Sequence, residues 1–151
     1  MVRNDRFDIG TDPMTRRRSV AETVIGILYA IGAANQAVFT LRESAEFYQA
    51  MADSAWLPPS ESLIEGVLVP NSVVVTVLVI AFEALAAIAI LSRTAAVGPA
   101  LLAGGVFSII GAFTGNPVET IGYILLAIVH FRLASARRQT HAGHTQSASG
   151  A

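Results

Sequence analysis

Residues 73–91, VVVTVLVIAFEALAAIAIL, restrict what this chain can become more than any other stretch. They hold nineteen residues and a single ionisable group, Glu83. As a helix rising about 1.5 Å per residue, the stretch matches the roughly 30 Å hydrocarbon core of a bilayer. That length and apolarity predict a membrane-spanning helix. A carboxylate near the middle of such a helix is costly to insert, so Glu83 is expected to face the protein interior.

Three further apolar stretches supply the walls. The first span is expected over 20–41, where Glu22, Tyr29 and Gln36 recur every seven residues and therefore share one helix face. Gly26, Ala30 and Ala34 form an adjacent stripe for close helix approach. A third span over 95–113 carries Ala96, Ala100, Gly104, Ser108 and Ala112 at every fourth position. Ala100, Gly104 and Ser108 are its packing centre. The fourth span, 118–136, opens at Pro117 and places Glu119, Tyr123 and His130 on one face.

Between spans one and two lies the only long connection, and it is acidic. Residues 44–57 alternate as a short amphipathic helix, with Tyr48 and Trp56 suited to the headgroup level. Pro58 and Pro59 end it, and Ser62 with Glu65 has the spacing of a capping box for a second short helix. The expected fold is an all-α integral membrane protein: a four-helix antiparallel transmembrane bundle over 19–136, with a short amphipathic extracytoplasmic segment between spans one and two. Residues 1–18 are expected as a flexible cytoplasmic tail and 137–151 as a disordered one.

Composition enters where partners are concerned. The chain is 53% apolar and 14% charged, which suits a bilayer as its solvent. All ten basic residues are arginine, gathered in short stretches rather than one continuous basic surface, which argues against nucleic acid. Absence of cysteine removes disulfides, thiolate ligands and thiol redox chemistry. His141 and His144 lie in the tail with no third ligand nearby, so no metal is expected.

Arginine placement sets orientation. Arg3, Arg6, Arg16, Arg17 and Arg18 precede span one, Arg93 sits between spans two and three, and Arg132, Arg137 and Arg138 close span four. The other two connections hold only Arg42. By the positive-inside rule both termini are cytoplasmic in a multi-pass membrane protein. A competing reading takes the 16–18 arginine run and the first apolar stretch as a cleaved signal, leaving three spans.

Depth along each span brings the polar residues together. Taking about 1.5 Å per residue, Glu83 lies about 12 Å in from the arginine-bearing side. Glu22, Glu83 and His130 are then expected to share one pocket, with Tyr29, Gln36 and Tyr123 continuing its polar face. These six are candidates for ligand binding or proton handling. The plainer reading makes them interhelical hydrogen-bond glue, with Glu22 and Glu119 as helix-start charges and His130 reaching out beside Arg132. No nucleophile, metal triad or phosphate loop marks a catalytic residue.

The run 82–91, FEALAAIAIL, then Ser92-Arg93-Thr94 and an alanine-rich third span, resembles the DoxX-like family. The short Gly115-Asn116-Pro117 turn and aliphatic last helix are similar too, and the likeness extends over about 20–138. The resemblance implies a bacterial inner-membrane four-helix protein associated with redox or quinone-linked complexes, with the family's glutamate falling on Glu83. It departs from the pattern in having alanine where glycine is favoured in the second span and no histidine in the third.

Two readings follow. One is a non-catalytic accessory subunit whose partners are the bilayer and a redox enzyme, with a quinone as the cofactor class. The other is a small homo-oligomeric, proton-coupled transporter using Glu83. Topology is testable directly: reporter fusions at Arg93 and after Arg138 should read cytoplasmic, and one near Glu61 extracytoplasmic. An extracytoplasmic C-terminus would sink the four-span arrangement and revive the cleaved signal.

Overall fold

The structure is a computed structural model that describes the backbone of residues 13–148 and the side chains of 16–138. Among these residues there are helices and short connections and no strand. Helix α1 (Pro13–Asn35) runs into a wide π turn at Gln36–Thr40, closed by the Leu41 N–H on the Gln36 carbonyl at 2.9 Å. Short helices α2 (Ser44–Ser54) and α3 (Pro58–Leu63) follow, the latter continuing into a second π turn at Ile64–Leu68. Then come α4 (Ser72–Leu91), α5 (Val97–Thr114) and α6 (Pro117–Ala148). Four stretches are long and apolar enough to cross a membrane: Arg16–Thr40, Ser72–Leu91, Val97–Thr114 and Pro117–Arg138.

Helix limits differ from the expected ones in physically simple ways. Pro13 starts α1 because a proline at the first helical position loses no hydrogen bond, so residues 13–18, expected in a tail, are helical. Similarly α6 continues to Ala148, through residues 137–148 expected as disordered, with no proline to interrupt it. Residues 1–12 and 149–151, the remainder of the two expected tails, lie outside the described residues. The Ser62 capping box does not form either. Pro58 occupies the first turn of α3, and Ser62 is an exposed residue inside that helix.

A reciprocal cap does form at α6. The Asn116 side-chain oxygen accepts from the Val118 and Glu119 N–H groups, and the Glu119 carboxylate accepts from the Asn116 N–H at 3.1 Å. This satisfies three donors that a helix start leaves open. At the other short connection Arg93 takes the left-handed conformation, φ 55°, to turn the chain from α4 into α5.

The long helices associate as two close pairs, α1 with α4 and α5 with α6. Glycine sets both contacts. A methyl group on Gly26 would strike Leu91 and Ile90 of α4, and one on Gly105 would strike the Phe131 ring of α6. The expected stripe in α1 holds only at Gly26: Ala30 and Ala34 are exposed, Gly32 makes the other close approach, and Ala33 is buried. In α5 the expected stripe holds at Gly104, Ser108 and Ala112, which are buried, while Ala100 is half-buried and Ala96 exposed.

Two cores flank the middle of the molecule. Ile25, Ala86, Ala87, Ile90, Val97, Leu101 and Ala134 pack at the arginine-bearing end. Tyr48, Ala52 and Ile64 pack beneath the connection at the opposite end, against Val75 of α4. Trp56 donates to Thr120 at 3.3 Å, tying that connection to α6. Gly104→Leu is expected to prevent folding or lower the thermal midpoint sharply, because Tyr29 and His130 already occupy the space. Val106→Leu, on an exposed face, should be mild. Equal tolerance at both positions in detergent melts would contradict this packing.

Candidate functional site

Each helix pair brings half of a polar site to the seam between the pairs. Tyr29 projects from α1 and His130 from α6, and the Tyr29 hydroxyl lies 3.0 Å from His130 Nε2. His130 is fully buried. Its other nitrogen, Nδ1, is 2.8 Å from the Leu126 carbonyl. A carbonyl only accepts, so Nδ1 carries the hydrogen; in the neutral ring Nε2 is then the acceptor and Tyr29 the donor. The expectation that His130 reaches out beside Arg132 is therefore corrected: its ring has both bonds inside the protein.

Glycine makes room for this pair. A Cβ at Gly104 would overlap both the Tyr29 hydroxyl and the His130 ring, so α5 can close over them only without a side chain there. Ser108, one turn on, is fully buried and donates back to the Gly104 carbonyl at 2.8 Å.

Next to the pair is a cavity of about 120 Å³, lined by Tyr29, Glu83, Ser108, Tyr123 and His130 together with Ile25, Leu28, Phe107 and Leu126. Glu83 enters from α4. Its carboxylate rests against Gly32 of α1, where a methyl group would lie 2.7 Å from Oε1. Oε2 is buried and has no hydrogen-bond partner among the described residues. Glu83 bonds to neither Tyr29 nor His130; those two residues satisfy each other. Tyr123 sits over Gly111, whose Cβ would lie 2.9 Å from its ring.

Three aromatic contacts frame the site. Phe82 meets Tyr29 edge-on with centroids 5.9 Å apart and lies 4.8 Å from Phe107, bridging α4 to α5. The Tyr29 and His130 rings are also edge-on, at 5.6 Å. Such contacts orient rings without consuming their polar atoms.

Hydrogen-bond accounting now gives the cavity its character. Tyr29 and Ser108 spend their hydrogens within the protein, leaving oxygen lone pairs. Glu83 Oε2 is a further acceptor in its ionised form. Among the described residues that line the cavity, only Tyr123 has a hydroxyl hydrogen that no other group takes. The lining is rich in acceptors and suits a small ligand that presents donors.

The remaining candidates lie elsewhere. Glu22 does not share the pocket: it is bound by Arg137 at 2.6 and 2.8 Å through both carboxylate oxygens, and by Arg18 at 3.2 Å. It is neither a solvated helix-start charge nor a cavity group, and sits buried near the arginine-bearing end. Gln36 begins the π turn that follows α1, its Oε1 buried and without a partner among the described residues, away from the cavity lining. Glu119 is the α6 cap and is exposed. The side chains of His141 and His144 lie outside the described residues. Gly32 was missed as a site residue; an isolated glycine opposite the depth of Glu83 was the available signal.

No protein-family model, curated protein or solved structure matches the chain.

Removing the Tyr29 hydroxyl should cost about 1 kcal/mol, as Tyr29→Phe leaves a buried ring nitrogen without its donor. His130→Phe should cost more alone than when added to Tyr29→Phe, because the double variant removes both partners. Thermal unfolding of the four proteins in detergent measures this coupling, and strictly additive losses would show that the bond carries none.

Proposed function

We propose that this chain is a DoxX-like bacterial inner-membrane protein, an accessory subunit of a redox or quinone-linked complex that holds a small polar headgroup in the cavity around Glu83. In this reading the four apolar helices form an antiparallel bundle with both termini cytoplasmic, and α2 and α3 lie on the extracytoplasmic face. Arginine placement supports that orientation. The observation that carries the functional reading is the buried, unbonded Glu83 carboxylate oxygen facing a cavity between two helix pairs. Proteins satisfy nearly all buried polar atoms, and an ionisable exception within a membrane span is a candidate site.

The lining fits a quinone-class ring in its dihydroxy form. Hydroxyl hydrogens suit Glu83, Tyr29 and Ser108 as acceptors, and Phe107 and Tyr123 offer faces for a flat ring. Such a group, when bound, carries electrons together with protons between enzymes. This chain's own residues would bind and orient it and exclude water, with Glu83 positioned to take or hold one proton. The absence of a nucleophile or metal triad in the sequence pattern makes this a binding subunit rather than an autonomous catalyst.

One specific observation favours a second reading. An acceptor-rich cavity with aromatic walls and a carboxylate also suits a small organic cation, as a homo-oligomeric proton-coupled transporter would need.

Isolation of the tagged chain from native membranes tests both. The accessory reading expects a redox-enzyme subunit and extractable quinone to co-purify. Glu83→Leu should lose the quinone while still inserting, and Glu83→Gln should retain only part of it. Recovery of the chain alone, as an oligomer that moves protons across liposomes when a cationic substrate is added, would replace the first reading with the second.

A further inference from the structure

A second concave site lies at the other edge of the bundle and plays no part in the cavity chemistry. It is a groove of about 240 Å³ between the start of α5 and the latter part of α6, lined by Gly98, Pro99 and Leu102 on one side and Ala134, Arg137 and Arg138 on the other, with Ala95 at its mouth. Among the described residues its two charged side chains are both cationic, and no carboxylate lines it.

Arg137 is not a loose surface arginine. Glu22 holds it through Nε and Nη2, which fixes the plane of the guanidinium and leaves its remaining Nη1 donors to point elsewhere. Arg138 beside it is exposed. Opposite them, a Cβ on Gly98 would meet no atom within 4 Å, so the α5 wall is open at that point. Gly98 lies in the first turn of α5, where backbone N–H groups lack intrahelical acceptors. The wider surroundings have the same sign: among the described residues this end also carries the 16–18 arginine run, Arg93 and Arg132, against Glu22 as the one carboxylate.

The apolar lining identifies the source of the anion. Pro99 and Leu102 continue from the groove onto the outer face of α5, where Val106 is exposed, and α6 beyond the buried Ala134 exposes aliphatic residues such as Val129. A free phosphate would use the arginines and nothing else. A molecule with a phosphate at one end and acyl chains at the other uses the whole surface.

We propose that this groove binds the phosphate of an anionic membrane lipid, the Arg137 and Arg138 guanidinium groups holding the headgroup while its chains lie along α5 and α6. Fixing a lipid here would brace α5 against α6 at the end where Glu22 ties α6 to α1.

The full chain in detergent, titrated with phosphatidylglycerol, phosphatidylcholine or inorganic phosphate and read by native mass spectrometry, tests this. One saturable phosphatidylglycerol site is expected, with phosphatidylcholine and inorganic phosphate much weaker. Arg138→Gln should weaken phosphatidylglycerol binding about fivefold, the contribution of one arginine near an anionic headgroup. Gly98→Leu fills the groove without changing charge, and should weaken binding at least as much. Arg132→Gln, which alters charge outside the groove, should leave it within twofold. The proposal fails if phosphatidylcholine binds equally or inorganic phosphate saturates the same site as tightly. It also fails if Gly98→Leu has no effect, or if Arg132→Gln matches Arg138→Gln.

Discussion

A fully buried imidazole between apolar helices is tolerable only if both ring nitrogens are bonded, and the seam of this molecule is arranged around meeting that demand for His130. One bond is local, to the Leu126 carbonyl one turn back on α6. The other has to come from a different helix, and Tyr29 supplies it from α1. Because the donor and acceptor belong to different helix pairs, the bond fixes where the pairs meet. Gly104 must then lack a side chain, Phe82 finds the Tyr29 edge, and the cavity is the space left once these groups have been placed.

The two pairs differ from the seam in the kind of force that joins them. Within α1–α4 and α5–α6, glycines bring backbones close and dispersion accumulates over many atoms. Across the seam an apolar core and the Phe82–Phe107 contact are joined by directional bonds: the Tyr29–His130 bond, the Glu22–Arg137 ion pair and the Arg18 bond to the Ala136 carbonyl at 3.2 Å. In surroundings without competing water, a handful of directional bonds can specify an arrangement that non-directional packing would leave open.

Much of the architecture was readable in the sequence because hydropathy and length report directly on spanning capacity. All four expected spans correspond to helices, and the seven-residue spacing of Glu22 and Tyr29 did place both on a buried face. Depth was readable as well, so Tyr29, Glu83, Tyr123 and His130 were brought to one region. Azimuth was not. Whether two side chains at equal depth touch depends on how each helix is rotated against its neighbours, and here close contacts at Gly26, Gly32 and Gly104 set that rotation. Glu22 was therefore grouped with Glu83 although Arg137 captures it, and Gly32 went unnoticed although it seats the Glu83 carboxylate.

Arg93 sits in the left-handed conformation that costs an ordinary residue about 1 kcal/mol and a glycine almost nothing. No ion pair or side-chain hydrogen bond involving Arg93 offsets that cost among the described residues. In the proposed orientation, its charge is used before any tertiary structure exists, while the hairpin of α4 and α5 is being inserted and its connection must remain on the side of synthesis. In that orientation the turn would be a compromise between two moments in the life of the chain: a folded state that would prefer glycine, and an insertion step that needs a cation. A residue that looks suboptimal in the finished fold records a requirement of how that fold is reached.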